Sequence, residues 1–249
     1  MLAPLIIIQA RMGSSRLPGK VMTQINGMPA IDLMIERLRR VEETNNIVIA
    51  TSVQPENDPL CQHLDDIGVP YVRGSEDDVL SRFSDCAAQF PNEILVRATA
   101  DCPFIEPELL IKLVNQHIHH DADYSYLSPN FAEGLDVEVI NKSALLLASK
   151  NARKTSEREH VTLYFSNNAK QFNIFELQQE RDDSKYRFTL DTVEDLNVIK
   201  EISSYFVDRL RDVSAEEIIQ FLDDNPEVFR LNSNIIRNEG LILSLNNEK

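Results

Sequence analysis

The sequence predicts an α/β chain, a Rossmann-like mixed, mainly parallel sheet with helices on both faces. Short apolar runs rich in β-branched residues, such as Leu5-Ile6-Ile7-Ile8 and Ile47-Val48-Ile49, alternate with stretches of helical spacing. Those helical stretches are long enough to serve as parallel crossovers, which favours helices on both faces of the sheet. A length of 249 residues, 43% hydrophobic and 26% charged, is enough for one continuous core. No internal repeat or long linker divides it, so 1–249 reads as a single domain.

The first strand is too short to span a bilayer and has no basic region before it, so it is read as a buried strand rather than a signal peptide. It feeds the loop Ala10-Arg11-Met12-Gly13-Ser14-Ser15-Arg16-Leu17-Pro18-Gly19-Lys20. Ile31, Met34, Ile35 and Leu38 then share one face of a predicted helix over 31–41. A strand over 46–50, a helix over 60–67 entered through Pro59 and a strand over 70–72 follow. The pattern repeats as a helix over 79–89, a strand over 93–98 and a helix over 107–119. From 122 the period changes. Tyr124-Ser125-Tyr126, Asp136-Val137-Glu138-Val139-Ile140 and Phe172-Asn173-Ile174-Phe175-Glu176-Leu177 read as short alternating strands, with helices over 142–149 and 157–167. The stretches 193–210 and 215–222 read as helical, and 232–249 as a weakly structured tail.

The loop after the first strand carries the clearest chemistry. A triphosphate needs backbone N–H groups and cationic side chains from one compact segment. Gly13 and Gly19 loosen the backbone, Ser14 and Ser15 bring hydroxyls, and Arg11, Arg16 and Lys20 bring charge. The spacing is neither GxxxxGK[ST] nor GxGxxG. The alternative is an ordinary surface loop with solvated cations. Against a net charge of −15, from 25 basic and 40 acidic residues, that cluster stands out. The same charge argues against nucleic acid or an anionic membrane as partner. Cys61, Cys86 and Cys102 are odd in number and lack CxxC spacing, which points to a reducing, cytoplasmic setting.

Several further segments occur in a fixed order: Arg73-Gly74-Ser75-Glu76-Asp77-Asp78-Val79-Leu80, Arg97-Ala98-Thr99-Ala100-Asp101-Cys102-Pro103, Gly134-Leu135-Asp136-Val137-Glu138, Arg158-Glu159-His160-Val161-Thr162 and Leu190-Asp191-Thr192-Val193-Glu194-Asp195-Leu196. Together with the loop, they resemble the sugar cytidylyltransferases. Within these the closest likeness is to the group labelled spore coat polysaccharide biosynthesis protein F, and keto-deoxy-octulosonate and acylneuraminate cytidylyltransferases are related. The resemblance extends to about residue 230. It implies a fold of the nucleotide-diphospho-sugar transferase type. It also implies conversion of CTP and a sugar, in particular an acidic keto-sugar, into a CMP-sugar and pyrophosphate for surface polysaccharide biosynthesis. By that likeness Arg11, Arg16, Lys20 and Asp101 are catalytic, and Ala10, Gly13, Ser14, Ser15, Arg97 and Thr99 join them around the nucleotide. Asp101 and Asp191 would hold Mg²⁺. Residues 122–180 would form an acceptor wall, with Asp136, Glu138 and His160 as candidates, and a homodimer surface. Ala100 departs from the glycine that relatives carry before the metal aspartate, and the preference for cytosine is inherited from the likeness alone.

The residues leave alternatives open. Asp101 and Asp191 each precede a predicted helix and could simply cap it. Asp121-Ala122-Asp123 is a literal DxD, the mark of metal-dependent glycosyltransferases, so that activity is a rival, as is a noncatalytic nucleotide- or sugar-binding protein. Asp136 and Glu138 alternate on one predicted strand face. His160 could equally make a core or interface hydrogen bond, and His117, His119 and His120 sit at a helix end where a cation meets the dipole. No Ser-His-Asp or Cys-His set is legible. None is required where the acceptor's own oxygen is the nucleophile.

Overall fold

A computed structural model describes residues 3–247. The chain runs β1 (Leu5–Gln9), β2 (Gln24–Ile25), β3 (Met28–Pro29), α1 (Ala30–Leu38), β4 (Ile47–Ser52), α2 (Asp58–Asp66), β5 (Tyr71–Gly74), α3 (Val79–Ala88), β6 (Ile94–Thr99) and α4 (Pro107–His119). It continues as β7 (Tyr124–Leu127), β8 (Val137–Asn141), α5 (Lys142–Asn151), α6 (Thr155–Glu159), α7 (Leu163–Asn167), β9 (Ile174–Leu177), α8 (Val193–Tyr205), α9 (Ala215–Asp224), α10 (Pro226–Phe229) and α11 (Glu239–Asn247).

Alternation along β1 sets the layers. Ile6 and Ile8 face one side and pack in a cluster with Ile31 of α1, Leu110 of α4, Val198 of α8 and Ile218 of α9. Leu5 and Ile7 face the other, with Leu80 and Phe83 of α3, Leu145 of α5 and Phe165 of α7. A strand buried on both faces must be apolar at consecutive positions, which is why β1 and β4 read as unbroken apolar runs.

The sheet order is β5-β4-β1-β6-β8-β7-β9. β8 runs antiparallel to β6 and β7, and the other pairings are parallel. After β1 the chain moves through α1 to β4 on one side, whereas after β6 it moves through α4 to β7 on the other. The connections diverge, leaving a crevice at the carboxyl ends of β1 and β6, the usual ligand position in such sheets. Gln9 and Thr99 sit side by side at its floor.

Four local features differ from the sequence expectation. Ile25-Asn26-Gly27-Met28 forms the small β2–β3 hairpin, with Asn26 at φ 48° and Gly27 at φ 79°. The helix expected over 157–167 is two short ones, broken where Val161 takes φ 25°. The helix expected over 193–210 ends at Tyr205 and is followed by a 3₁₀ turn, Val207–Arg209. The tail expected to be weakly structured carries α11, while residues 248 and 249 lie outside the described residues.

Candidate active site

The loop leaving β1 is shaped by its own backbone. Ala10 is buried and its N–H donates to Ala50 O at 3.2 Å, extending the sheet by one step. Met12 N–H donates to Asn57 Oδ1 at 2.8 Å, while Met12 O accepts from Ser14 N–H at 3.1 Å and Gly19 N–H at 2.9 Å. That closure turns the chain back on itself at Gly19, whose φ of 70° suits a residue without Cβ. A 3₁₀ turn, Lys20–Met22, then aims Lys20 into the crevice with Val21 buried behind it. Among the described residues, the N–H groups of Gly13, Ser15 and Arg16 have no protein acceptor, and all three residues line the cavity. Ser14 Oγ instead accepts from Leu17 N–H at 3.3 Å, shaping the loop.

The cavity encloses about 370 Å³. Arg11, Arg16 and Lys20 line it, with Thr99 and Ala100 on the floor and Asp101 and Asp191 opposite. Lys20 Nζ lies 2.7 Å from Asp101 Oδ2 and 2.5 Å from Asp191 Oδ1. Burial alone would lower the lysine's pKa, but the two carboxylates outweigh it and the pKa is raised, so the ammonium persists. Burial would likewise raise Asp101, yet Lys20 pulls it down to about 2. Arg16 spans Asp191 at 3.1 Å and Glu239 of α11 at 2.6 Å, and Arg11 pairs with Glu76 at 2.5 Å.

Neither aspartate is a helix cap. The N-cap of α4 is Glu106, without a side-chain bond, and α8 is capped by Thr192 in a reciprocal pair with Asp195. Asp101 and Asp191 are drawn together by backbone, since Asp101 O accepts from Leu190 N–H at 2.7 Å and from Thr189 Oγ1 at 2.9 Å. Buried Arg187 braces the second carboxylate. It reaches Asp195 at 2.8 Å, Glu133 at 2.5 Å and Asp191 at 3.4 Å. Two carboxylates already sharing one cation are a donor set that suits Mg²⁺, which takes one or two carboxylates and fills its octahedron with phosphate and water oxygens. Among the described residues there is no cluster of three or more His, Cys, Asp or Glu arranged for a metal.

The sequence of a cytidylyltransferase family profile matches residues 5–221. The chain belongs to the cytidylyltransferase family. It is 36% identical over 230 residues to the spore coat polysaccharide biosynthesis protein SpsF of Bacillus subtilis, covering 90% of this chain and 95% of that one. A solved cytidylyltransferase from Leptospira borgpetersenii superposes with a TM-score of 0.87 at 33% identity, over 95% of this chain and 99% of the other. More distant is the 8-amino-3,8-dideoxy-manno-octulosonate cytidylyltransferase of Shewanella baltica, 26% identical over 168 residues, 66% of this chain and 60% of that one. The protein is thus a nucleotidyltransferase, and its fold is the expected mainly parallel sheet.

The remaining sequence candidates are dispersed. Glu138 pairs with Arg97 and accepts from the Tyr124 hydroxyl, so both Arg97 and Glu138 lie behind the cavity wall rather than on it. Asp136 precedes β8 instead of sharing its face. It accepts from Gly134 N–H at 2.9 Å and from Arg237 at 3.0 Å. His160 sits in the break between α6 and α7, with Nε2 3.7 Å from Glu159, and Glu159 rather than His160 lines the cavity. The DxD is also remote from the cavity: Asp123 accepts from Asn173 N–H at 2.8 Å, and Asp121 sits in a turn at φ 49°. His117 is not a helix-end cation but a buried residue between Ser125 Oγ at 2.8 Å and Asn141 Oδ1 at 3.1 Å, its pKa lowered by burial. Cys61, Cys86 and Cys102 are buried and unbridged. Gln9, Arg187 and Glu239 were not legible as site residues. The four-residue spacing of Arg187 and Asp191 was a faint sign for one; Glu239 had none.

Proposed function

We propose that this enzyme joins CTP to an acidic keto-sugar, releasing pyrophosphate and a CMP-sugar for a surface polysaccharide. The observation that carries the reading is Lys20 joined to Asp101 and Asp191 across the β1–β6 crevice, beside loop N–H groups and two arginines. The sugar class draws support from the Shewanella relative, whose name gives an octulosonate, and the pathway from the Bacillus relative's.

In this reading the free N–H groups of Gly13, Ser15 and Arg16 receive phosphate oxygens, while Arg11, Arg16 and Lys20 exchange carboxylate partners for phosphate. An acceptor hydroxyl oxygen attacks the α-phosphorus and gives up its proton to solvent; the new O–P bond forms as the bond from the α-phosphorus to the bridging oxygen breaks, and that oxygen leaves with pyrophosphate. Lys20 and Arg16 would offset the charge that grows on the departing pyrophosphate. Mg²⁺ held by Asp101 and Asp191 would neutralise further phosphate charge. No protein nucleophile is needed. Burial holds the Cys102 thiol beside Asp101 far above its ordinary pKa, which keeps it protonated and unreactive.

A homodimer through 122–180, where Leu146 and Leu147 of α5 are exposed, and action in the cytoplasm belong to the same proposal. Sedimentation velocity tests the dimer. Among the described residues no helix is long and apolar enough to cross a membrane. The decisive assay offers purified protein Mg²⁺, each of the four nucleoside triphosphates and a panel of keto-sugar acids, with pyrophosphate release and product mass as readouts. CTP-dependent release yielding a CMP adduct is expected. Preference for another triphosphate, or hydrolysis of a finished nucleotide sugar instead, would overturn the reading.

A further inference from the structure

Gln9 ends β1 and lines the cavity floor, beside Thr99 and at the foot of the cationic loop. Its side chain turns toward β6, because Gln9 Oε1 accepts from Arg97 Nη2 at 3.2 Å. A guanidinium has donors only, so the amide must turn its oxygen to Arg97 and its two N–H donors elsewhere. Arg97 is itself fixed, by its ion pair with Glu138 of β8, whose second oxygen is occupied by the Tyr124 hydroxyl. Burial alone would lower the arginine's pKa, but Glu138 reverses that and keeps it cationic. Among the described residues Gln9 Nε2 donates to no protein acceptor, and it is not a sealed, buried atom.

The result is a relay of three side chains behind the wall that ends in one oriented pair of donors in the cavity. A phosphate chain does not need that pair, having the loop's N–H groups and its cations. An attacking oxygen must come from the side opposite the departing pyrophosphate, hence away from Lys20 and Arg16. The Gln9 side chain is turned to Arg97 rather than to Lys20 or Arg16, and it lines the cavity together with Glu159.

We propose that the Gln9 amide hydrogen-bonds an oxygen of the incoming sugar acid, and that Arg97 and Glu138 are positioning residues that fix the amide's orientation. This rests on the cytidylyltransferase reading above and adds to it a specificity-determining contact. Glu at position 9 is isosteric, keeps an oxygen for Arg97 and replaces the donors with an acceptor that repels an anion.

The test uses the full chain, CTP, Mg²⁺ and 3-deoxy-manno-octulosonate with related sugar acids as acceptors. Gln9→Glu is expected to raise the acceptor KM about tenfold or more while the CTP Kd, measured by calorimetry without acceptor, moves less than about twofold. Glu138→Gln, which loosens Arg97 without touching substrate, should raise the same KM about threefold and leave the CTP Kd alone. An unaltered acceptor KM in a folded Gln9→Glu enzyme, or a shift confined to the CTP Kd, overturns the inference while the activity stands. Absence of pyrophosphate release by the wild-type enzyme with every acceptor overturns the activity reading and this inference with it.

Discussion

Lys20 is the residue on which the site turns, because it holds two carboxylates that would otherwise repel across the crevice. Lys20→Ala is expected to lower kcat/KM by about 2–4 kcal/mol of transition-state stabilisation, as for loss of one preorganised electrostatic contact. Steady-state kinetics on the folded variant check it, and wild-type turnover would remove Lys20 from the catalytic set. Asp101→Asn and Asp191→Asn should each abolish metal-dependent pyrophosphate release, whereas Asp121→Asn, outside the cavity, should not; the reverse ranking would favour a glycosyltransferase. The sequence made Lys20 and Asp101 legible because each follows a strand end, where sheets of this class bind ligands. Gln9 was not legible, since its role depends on a partner on another strand. His117 shows the same limit: its helix-end position suggested a cation, but Ser125 and Asn141 enclose it. Asn141 Nδ2 donates to Ala122 O, so its oxygen faces the ring, Nε2 carries the proton and Nδ1 accepts from Ser125. A lowered folded pKa means that the unfolded chain binds the proton first. His117 therefore stabilises the fold fully above its unfolded pKa near 6.5, and that contribution is lost as pH falls below it. The thermal stability of wild type should fall more steeply than that of His117→Gln as pH drops below ~6.5; parallel curves would refute this.

At the scale of elements, local rules predicted what local chemistry controls. Pro107 at the first helical position and an apolar stripe fixed α4 to its observed ends. Asn26-Gly27 is a strong hairpin signal, but the strands it joins are two residues each and carry no periodicity to support it. The direction of β8 was beyond reach, since alternation is the same in either orientation. So was the break at Val161, a β-branched residue in the left-handed region with no local marker. Longer-range fit is most acute at Gly134, at φ 109°. A Cβ there would meet Phe188 C and Thr189 N at 2.8 Å and Phe188 O at 2.9 Å. Those backbone atoms are pinned, for Phe188 N–H donates to Glu133 O at 2.9 Å and Glu133 N–H to Tyr186 O at 3.0 Å. Because the same segment carries Arg187 and Asp191, Gly134→Ala should cost about 2–4 kcal/mol of stability and also weaken Mn²⁺ binding. Denaturant unfolding and metal titration test the two parts; a stable variant with intact metal affinity would show that the contact relaxes.

Across the whole molecule, the C-terminal segment closes a site built by the N-terminal one. Glu239 meets Arg16, 223 positions earlier in the chain, and Ser244 Oγ donates to Glu159 at 2.9 Å, so α11 spans the cavity mouth from the loop to α6. Arg237 anchors the approach to it through the carbonyls of Pro129 and Phe131. No local pattern in an Asn-rich tail announces this, because what orders it is charge supplied by the far end of the chain. If Arg16 takes a nucleotide phosphate as proposed, Glu239 competes with it and that pair must break. Both partners are substantially solvated, which limits the pair to about 0.5–1 kcal/mol. Glu239→Gln leaves the helix and its Ser244 contact in place while removing the competing charge, so the CTP Kd should fall about two- to fivefold. The gain should shrink as salt is raised, because screening weakens the wild-type pair first. Calorimetric titration at two ionic strengths measures both effects, and weaker CTP binding by Glu239→Gln would mean that the carboxylate orients Arg16 for the nucleotide rather than competing with it.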